Sequence, residues 1–130
     1  MNGIKKLHIL EEIKRVAPHY KIGQLIHHKL FNYRGVIFKV NDCFQLTDTW
    51  YDNVAKSKPP KENPWYSVLV HNQAHTTYVA ERHIIPDNSD IEIIHPMIPI
   101  YFTTVKNGLY AKSINWIDGE PTAPNTIGLA

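Results

Sequence analysis

Between Lys21 and Lys39 the cations Lys21, Lys29, Arg34 and Lys39 alternate with His27, His28 and Tyr33, and residues 20–40 hold no carboxylate. Cationic groups beside an exposed aromatic ring suit phosphate contact combined with base stacking or groove insertion. If this stretch folds as a hairpin, its tip carries Lys29, Tyr33 and Arg34. A second cluster, Lys56, Lys58 and Lys61, would add to the same face. The competing explanation is a solvated sheet edge, where lysines deter strand-to-strand aggregation.

Other reactive side chains form no such constellation. The eight histidines are His8, His19, His27, His28, His71, His75, His83 and His95. A zinc site needs three or four of them to converge. His71 and His75 flank a predicted turn, but His27 and His28 point to opposite faces of a strand. The expectation is therefore surface or hydrogen-bonded histidines, with no metal and no other cofactor. Cys43 next to Phe44 reads as a small buried residue. The chain lacks a Gly-rich phosphate loop, a Gly-x-Ser-x-Gly elbow and a Cys-x-x-Cys pair, and no spacing ties a serine or aspartate to a histidine. No catalytic residue is expected, and the protein reads as a non-enzyme.

The elements that must position these groups fit in one domain. The chain has 130 residues, 43% apolar and 20% charged, so global disorder is not expected. Nine prolines and seven tyrosines favour short strands and loops over a helical bundle. No stretch approaches the roughly 20 apolar residues that cross a bilayer. Glu11 and Glu12 interrupt the first apolar pattern, so no signal peptide is read there. A single cysteine fits a reducing cytoplasm. Net charge is only +2, but residues 20–61 carry seven cations against three acids and residues 62–103 one cation against five acids.

Residues 3–17 read as an amphipathic helix with its apolar stripe on Leu7, Ile9, Leu10, Ile13 and Val16, stopped by Pro18. The stripe would cover an open sheet edge or drive self-association into a homo-oligomer. Ile22–Lys29 and Gly35–Asn41 read as strands. In the second, Val36, Phe38 and Val40 share one face, with Ile37 and Lys39 on the other. Residues 42–64 read as an irregular loop with Pro59, Pro60 and Pro64, anchored by Trp50 and Tyr51. Trp65–His71 and His75–Ala80 read as a hairpin. Glu81–Pro86 reads as a short turn or one-turn helix, and residues 91–102 as extended surface segments. Asn107-Gly108 signals another hairpin, between Ile100–Val105 and Leu109–Lys112. The tail from Ile117 reads as loosely ordered. Several short strands with little helix between them suggest a closed barrel of about five strands.

The ordered blocks Lys21-Ile-Gly-Gln-Leu-Ile-His-His28, Tyr33-Arg-Gly-Val-Ile37, Asn63-Pro-Trp-Tyr66 with Val68-Leu-Val70, and Thr77-Tyr-Val-Ala-Glu81 resemble the HspQ/YccV-like family, also called the hemimethylated DNA-binding domain. The likeness covers about residues 20–86. It implies a mainly β fold: a small SH3-like β-barrel without enzymatic activity. Here an N-terminal helix and a C-terminal hairpin and tail would be added to it. It also implies heat-shock or quality-control roles beside Lon-type proteolysis, and binding of hemimethylated DNA. The residues themselves give these blocks structural reasons: Gly35, Trp65, Tyr66 and Tyr78 read as barrel core or bend.

The division expected is an N-terminal amphipathic helix over 1–19, the β-barrel domain over 20–103, and a hairpin strand with tail over 104–130. Residues 20–103 carry eight cations against eight acids. That balance favours a protein partner, a protease or its substrate, with hemimethylated DNA as the alternative and no membrane.

Overall fold

The computed structural model describes residues 17–116. Apart from Ala17, the helix expected over 3–17 lies outside them, as does the tail from Ile117.

Among the described residues, seven strands and two short helices follow in order: β1 (Leu25–His28), β2 (Arg34–Asn41), α1 (Asp48–Val54), β3 (Trp65–Val70), β4 (Thr76–Ala80), a 3₁₀ turn (Glu81–His83), β5 (Ile84–Pro86), α2 (Ile98–Tyr101), β6 (Phe102–Lys106) and β7 (Leu109–Lys112). The first five strands form one antiparallel sheet in the order β4-β3-β2-β1-β5, and β6 and β7 form a separate hairpin. The sheet runs open from β4 to β5. No ladder joins those two edges among the described residues, so the closed ring expected from the sequence is not formed by hydrogen bonds there.

Both faces of this sheet are apolar. On one, Leu25, Val36, Phe38 and Leu69 meet Ile93, Tyr101, Phe102 and Tyr110 from the C-terminal segments. On the other, Ile26, Ile37, Tyr66, Val68, Val79 and Ile84 close together around Tyr20 and Tyr33. Burying each of the larger side chains contributes about 1.5–3 kcal/mol. β3 and β4 are buried at every position, as strands covered on both sides must be. The β6–β7 hairpin turns at Asn107 and Gly108, both with positive φ. It is bonded into the sheet through Leu25 N to Gly108 O and Tyr110 N to Gly23 O.

The alternation read along β2 holds only as far as Phe38. The register slips between Ile37 and Lys39, which oppose Val68 and Ser67, so Phe38 is an extra residue in the ladder. Such a bulge reverses the parity of everything after it. Val40 consequently joins Ile37 on the Tyr66 side instead of sharing a face with Val36 and Phe38.

The 42–64 segment also departs from the irregular loop expected. It contains α1, started by Thr47, whose hydroxyl accepts from Trp50 N. Trp50 and Tyr51 do anchor it. With Phe44 they pack on Trp65 and Tyr78, whose rings stack at 5.3 Å, and Trp65 Nε1 donates to Pro60 O. Gly35 admits no side chain: a Cβ there would sit 2.6 Å from Leu69 O and closer still to Val68 Cγ1.

Candidate nucleic-acid interface

The hairpin of β1 and β2 separates the five residues that the sequence singled out for binding. Lys21 precedes β1 and Lys39 lies past the point where Val36 pairs Leu25, so both belong to the end away from the turn. Lys21 is exposed and Lys39 half-buried. Lys29 is exposed at the turn itself. Tyr33 is not an exposed ring. Its hydroxyl meets buried Thr77 Oγ1 at 2.6 Å, its ring packs into the second core, and burial pushes its phenol well above the ordinary tyrosine range. Arg34 is also occupied. Its Nε donates to Asp87 Oδ2 at 2.6 Å, its guanidinium donates to the Ile91 carbonyl, and the two side chains are only 20% and 11% exposed. Burial alone would raise the Asp87 carboxyl; hydrogen bonds from Ser89 and Arg34 outweigh it and hold it below the usual range. Arg34 therefore fastens the 87–91 strap instead of facing solvent.

The group that the turn does present is different. His28, fully buried, accepts at Nδ1 from both Leu30 N and Phe31 N at 3.1 Å. Asn32 takes a positive φ and accepts from His27 Nε2 at 2.8 Å. These bonds fix a turn whose outer residues are Lys29, Leu30 and Phe31. Leu30 is 59% and Phe31 51% exposed.

Two further segments meet the turn at His83. Lys29 N donates to His83 O at 2.8 Å. Ser57 Oγ lies 3.3 Å from His83 Nε2, and Arg82 donates to Ser57 O at 2.7 Å. Lys56 stands beside Ser57 and is exposed, as is Arg82. Lys29 and Arg82 thus come from distant stretches of chain to one buried histidine, and Lys56 is the chain neighbour of Ser57, which bonds both His83 and Arg82. None of the three forms an ion pair among the described residues. Burial, then Arg82 and Lys29, lower the His83 pKa, which keeps that imidazole neutral.

Two other lysines of the 42–64 segment are matched. Lys58 pairs with Asp52 at 3.2 Å and Lys61 with Asp48 at 2.7 Å, and both lie over the Tyr51 ring. Glu81 accepts from Tyr66 Oη at 2.5 Å and from His19 N at 2.9 Å. Two other imidazoles bond to the chain. His71 Nδ1 accepts from Ile94 N, and His95 accepts from Met97 N while reaching the His75 carbonyl. No group of three or more metal-ligating side chains that could hold an ion occurs among the described residues. Trp65, Tyr66 and Tyr78 are buried.

Arg82 and Phe31 escaped the sequence reading as binding residues. Arg82 is the only cation between residues 62 and 103 and follows Glu81 directly. Its membership of the patch depends on a contact with Ser57, 25 residues away. Phe31 could have been found. It lies beside Lys29 in a predicted turn, where an apolar ring has no core to enter.

A family model described as hemimethylated DNA-binding protein YccV-like matches residues 18–109. The chain belongs to the YccV-like family. The matched span contains all five strands of the sheet and β6, and it carries Lys29, Lys56 and Arg82 together. No helix among the described residues is long and apolar enough to cross a membrane.

Proposed function

We propose that this YccV-like chain is a non-enzymatic DNA-binding module that holds the duplex backbone with Lys29, Lys56 and Arg82. The observation that carries the reading is the approach of exposed Lys29 and Arg82 to His83, with exposed Lys56 beside Ser57 in the chain, all three outside any ion pair among the described residues. The even charge balance of residues 20–103 favoured a protein partner only as a sum. On the folded surface the acids Asp48, Asp52 and Asp87 are each spent on a cation nearby. Hemimethylated duplex is the ligand to try first, because the family description names it. An SH3-like arrangement of the strands and a cytoplasmic setting belong to the same proposal, supported by the five short antiparallel strands and the single cysteine.

The test is a salt titration of binding to hemimethylated, fully methylated and unmethylated duplexes of one sequence. Three phosphate contacts give a log–log slope of about −2.7 in salt, and Lys29→Ala with Arg82→Ala reduces its magnitude by about 1.8. Tighter binding to the hemimethylated duplex supports the finer specificity. A flat salt response, or no binding at roughly physiological salt, overturns the DNA reading.

A second reading, an adaptor in Lon-type proteolysis, has one observation of its own. Ile91 and Ile94 are 62% and 65% exposed on the strap that follows β5, and apolar residues of this kind suit a protein partner. Ile91→Ser with Ile94→Ser should then slow degradation of a delivered substrate by a Lon-type protease while leaving the DNA salt slope unchanged.

A further inference from the structure

We infer that Leu30 and Phe31 are an apolar wedge that enters a base step of the bound duplex from the minor groove and bends it. The inference rests on the DNA reading above and adds how the duplex is deformed. Its first ground is topology. β1 and β2 cannot enter a major groove as a two-stranded ribbon, because β5 flanks β1 and β3 flanks β2. The exposed part of this hairpin is its turn, so its side chains reach bases while Lys29, Lys56 and Arg82 contact phosphates. Inserted Phe and Leu side chains unstack and kink duplexes in this way.

The second ground is how the turn is built. His28 Nδ1 accepts from the backbone N–H groups of both wedge residues, and the His28 ring lies 4.9 Å from the Phe31 ring. His28 N donates to Tyr33 O, and Asn32 N donates to His28 O. The backbone is thus fixed before any ligand arrives, which lowers the ordering cost of insertion. The third ground is size and charge. Two exposed side chains are far short of the roughly 800 Å² that each partner contributes to a stable protein interface. Lys29 beside them, and Arg82 next to the His83 that Lys29 N bonds, are cations, complementary to phosphate and not to another apolar surface.

The experiment uses the full chain and a duplex carrying end-attached fluorophores and 2-aminopurine at one central thymine–adenine step, a step that unstacks easily. The wild type should shorten the end-to-end distance and raise the 2-aminopurine emission. Leu30→Ser and Phe31→Ser should each abolish most of both signals and weaken binding about tenfold, with the salt slope kept. Phe31→Trp should restore both. Phe31→Ser removes a contact with His28; Leu30→Ser has no such contact and serves as the variant that leaves the turn intact. Wild-type bending in both serine variants overturns the wedge, as does wild-type binding with neither signal. A wild-type dimer that Leu30→Ser dissociates also overturns it, by assigning the turn to a second copy. Absence of salt-dependent binding overturns the DNA reading and the wedge together.

Discussion

The loop over 42–64 and the turn over 28–33 use the same kinds of residue to opposite ends. In the loop, Lys58 and Lys61 lie over Tyr51 and reach Asp52 and Asp48, which stand one helical turn apart on α1. The aromatic rings there rest on Trp65 and Tyr78. Lys58, Lys61 and the rings are consumed in holding the loop in place, while Lys56 stays exposed. In the turn, a buried histidine secures the backbone instead, so Lys29, Leu30 and Phe31 remain outside. A basic-aromatic stretch is thus ambiguous by composition. Carboxylates one turn apart on a facing helix make it a fastener, and a backbone held from beneath leaves it open to solvent.

Removing what each region rests on should give the largest effects. Trp65→Ala empties the platform under Phe44, Trp50 and Tyr51 and should cost about 3–5 kcal/mol in urea unfolding. A loss below about 1 kcal/mol would mean that the loop is not held by its rings. Arg34→Ala comes next. It strands the Asp87 carboxylate, 11% exposed, and should cost about 1–3 kcal/mol, because an unpaired charge stays largely buried. DNA affinity of the folded Arg34→Ala fraction should stay near wild type. A fall matching that of Lys29→Ala would return Arg34 to the binding surface.

Acid should act on the same strap in two steps. His71 and His95 accept backbone N–H bonds at Nδ1, which only the neutral ring can do, and burial is the first cause lowering the pKa of each. A folded pKa below the unfolded value means stability present above about pH 6.5 and lost as pH falls toward the folded values. The protection factors of the Ile94 and Met97 amides, referred to the intrinsic exchange rate at each pH, should therefore fall in that window. The Asp87 carboxyl, also lowered, gives a second loss below about pH 4. Equal protection factors at Ile94 and Met97 above and below the first window would refute the histidine bonds. The smallest effect belongs to Lys58→Ala. Its pair with Asp52 is exposed, so stability should change by less than about 1 kcal/mol and the DNA salt slope should barely move. A slope change as large as that of Lys29→Ala would erase the distinction between the two regions.

Much of the sheet was legible because it depends on neighbours in sequence. Asn107-Gly108 marked its hairpin, and the apolar run from Trp65 to Val70 marked β3. What escaped depends on remote contacts or on one-residue irregularities. Nothing in Gly35–Asn41 signals that Phe38 is an inserted residue, and that one residue moves Val40 to the other face. The helix from Asp48 to Val54 has a Thr47 cap and an acid in its first turn. The prolines downstream of it nevertheless pulled the whole segment toward an irregular reading. Arg34 finds Asp87 53 residues later, so its charge looked available. Within the candidate site, Lys29 could be read from local sequence. Lys56 was legible only as part of a lysine cluster, and Arg82 not at all, because its place depends on contacts of Ser57 and His83 with remote parts of the chain.

Because every residue of β3 and β4 is covered, the sheet keeps no broad face for a ligand, and recognition is pushed to the rim. The footprint on any partner is correspondingly narrow, and grip must come from the number and spacing of charges more than from contact area. Such a layout separates two kinds of evolution. Rim residues can drift toward a new target while the strands beneath keep the register that holds the molecule together.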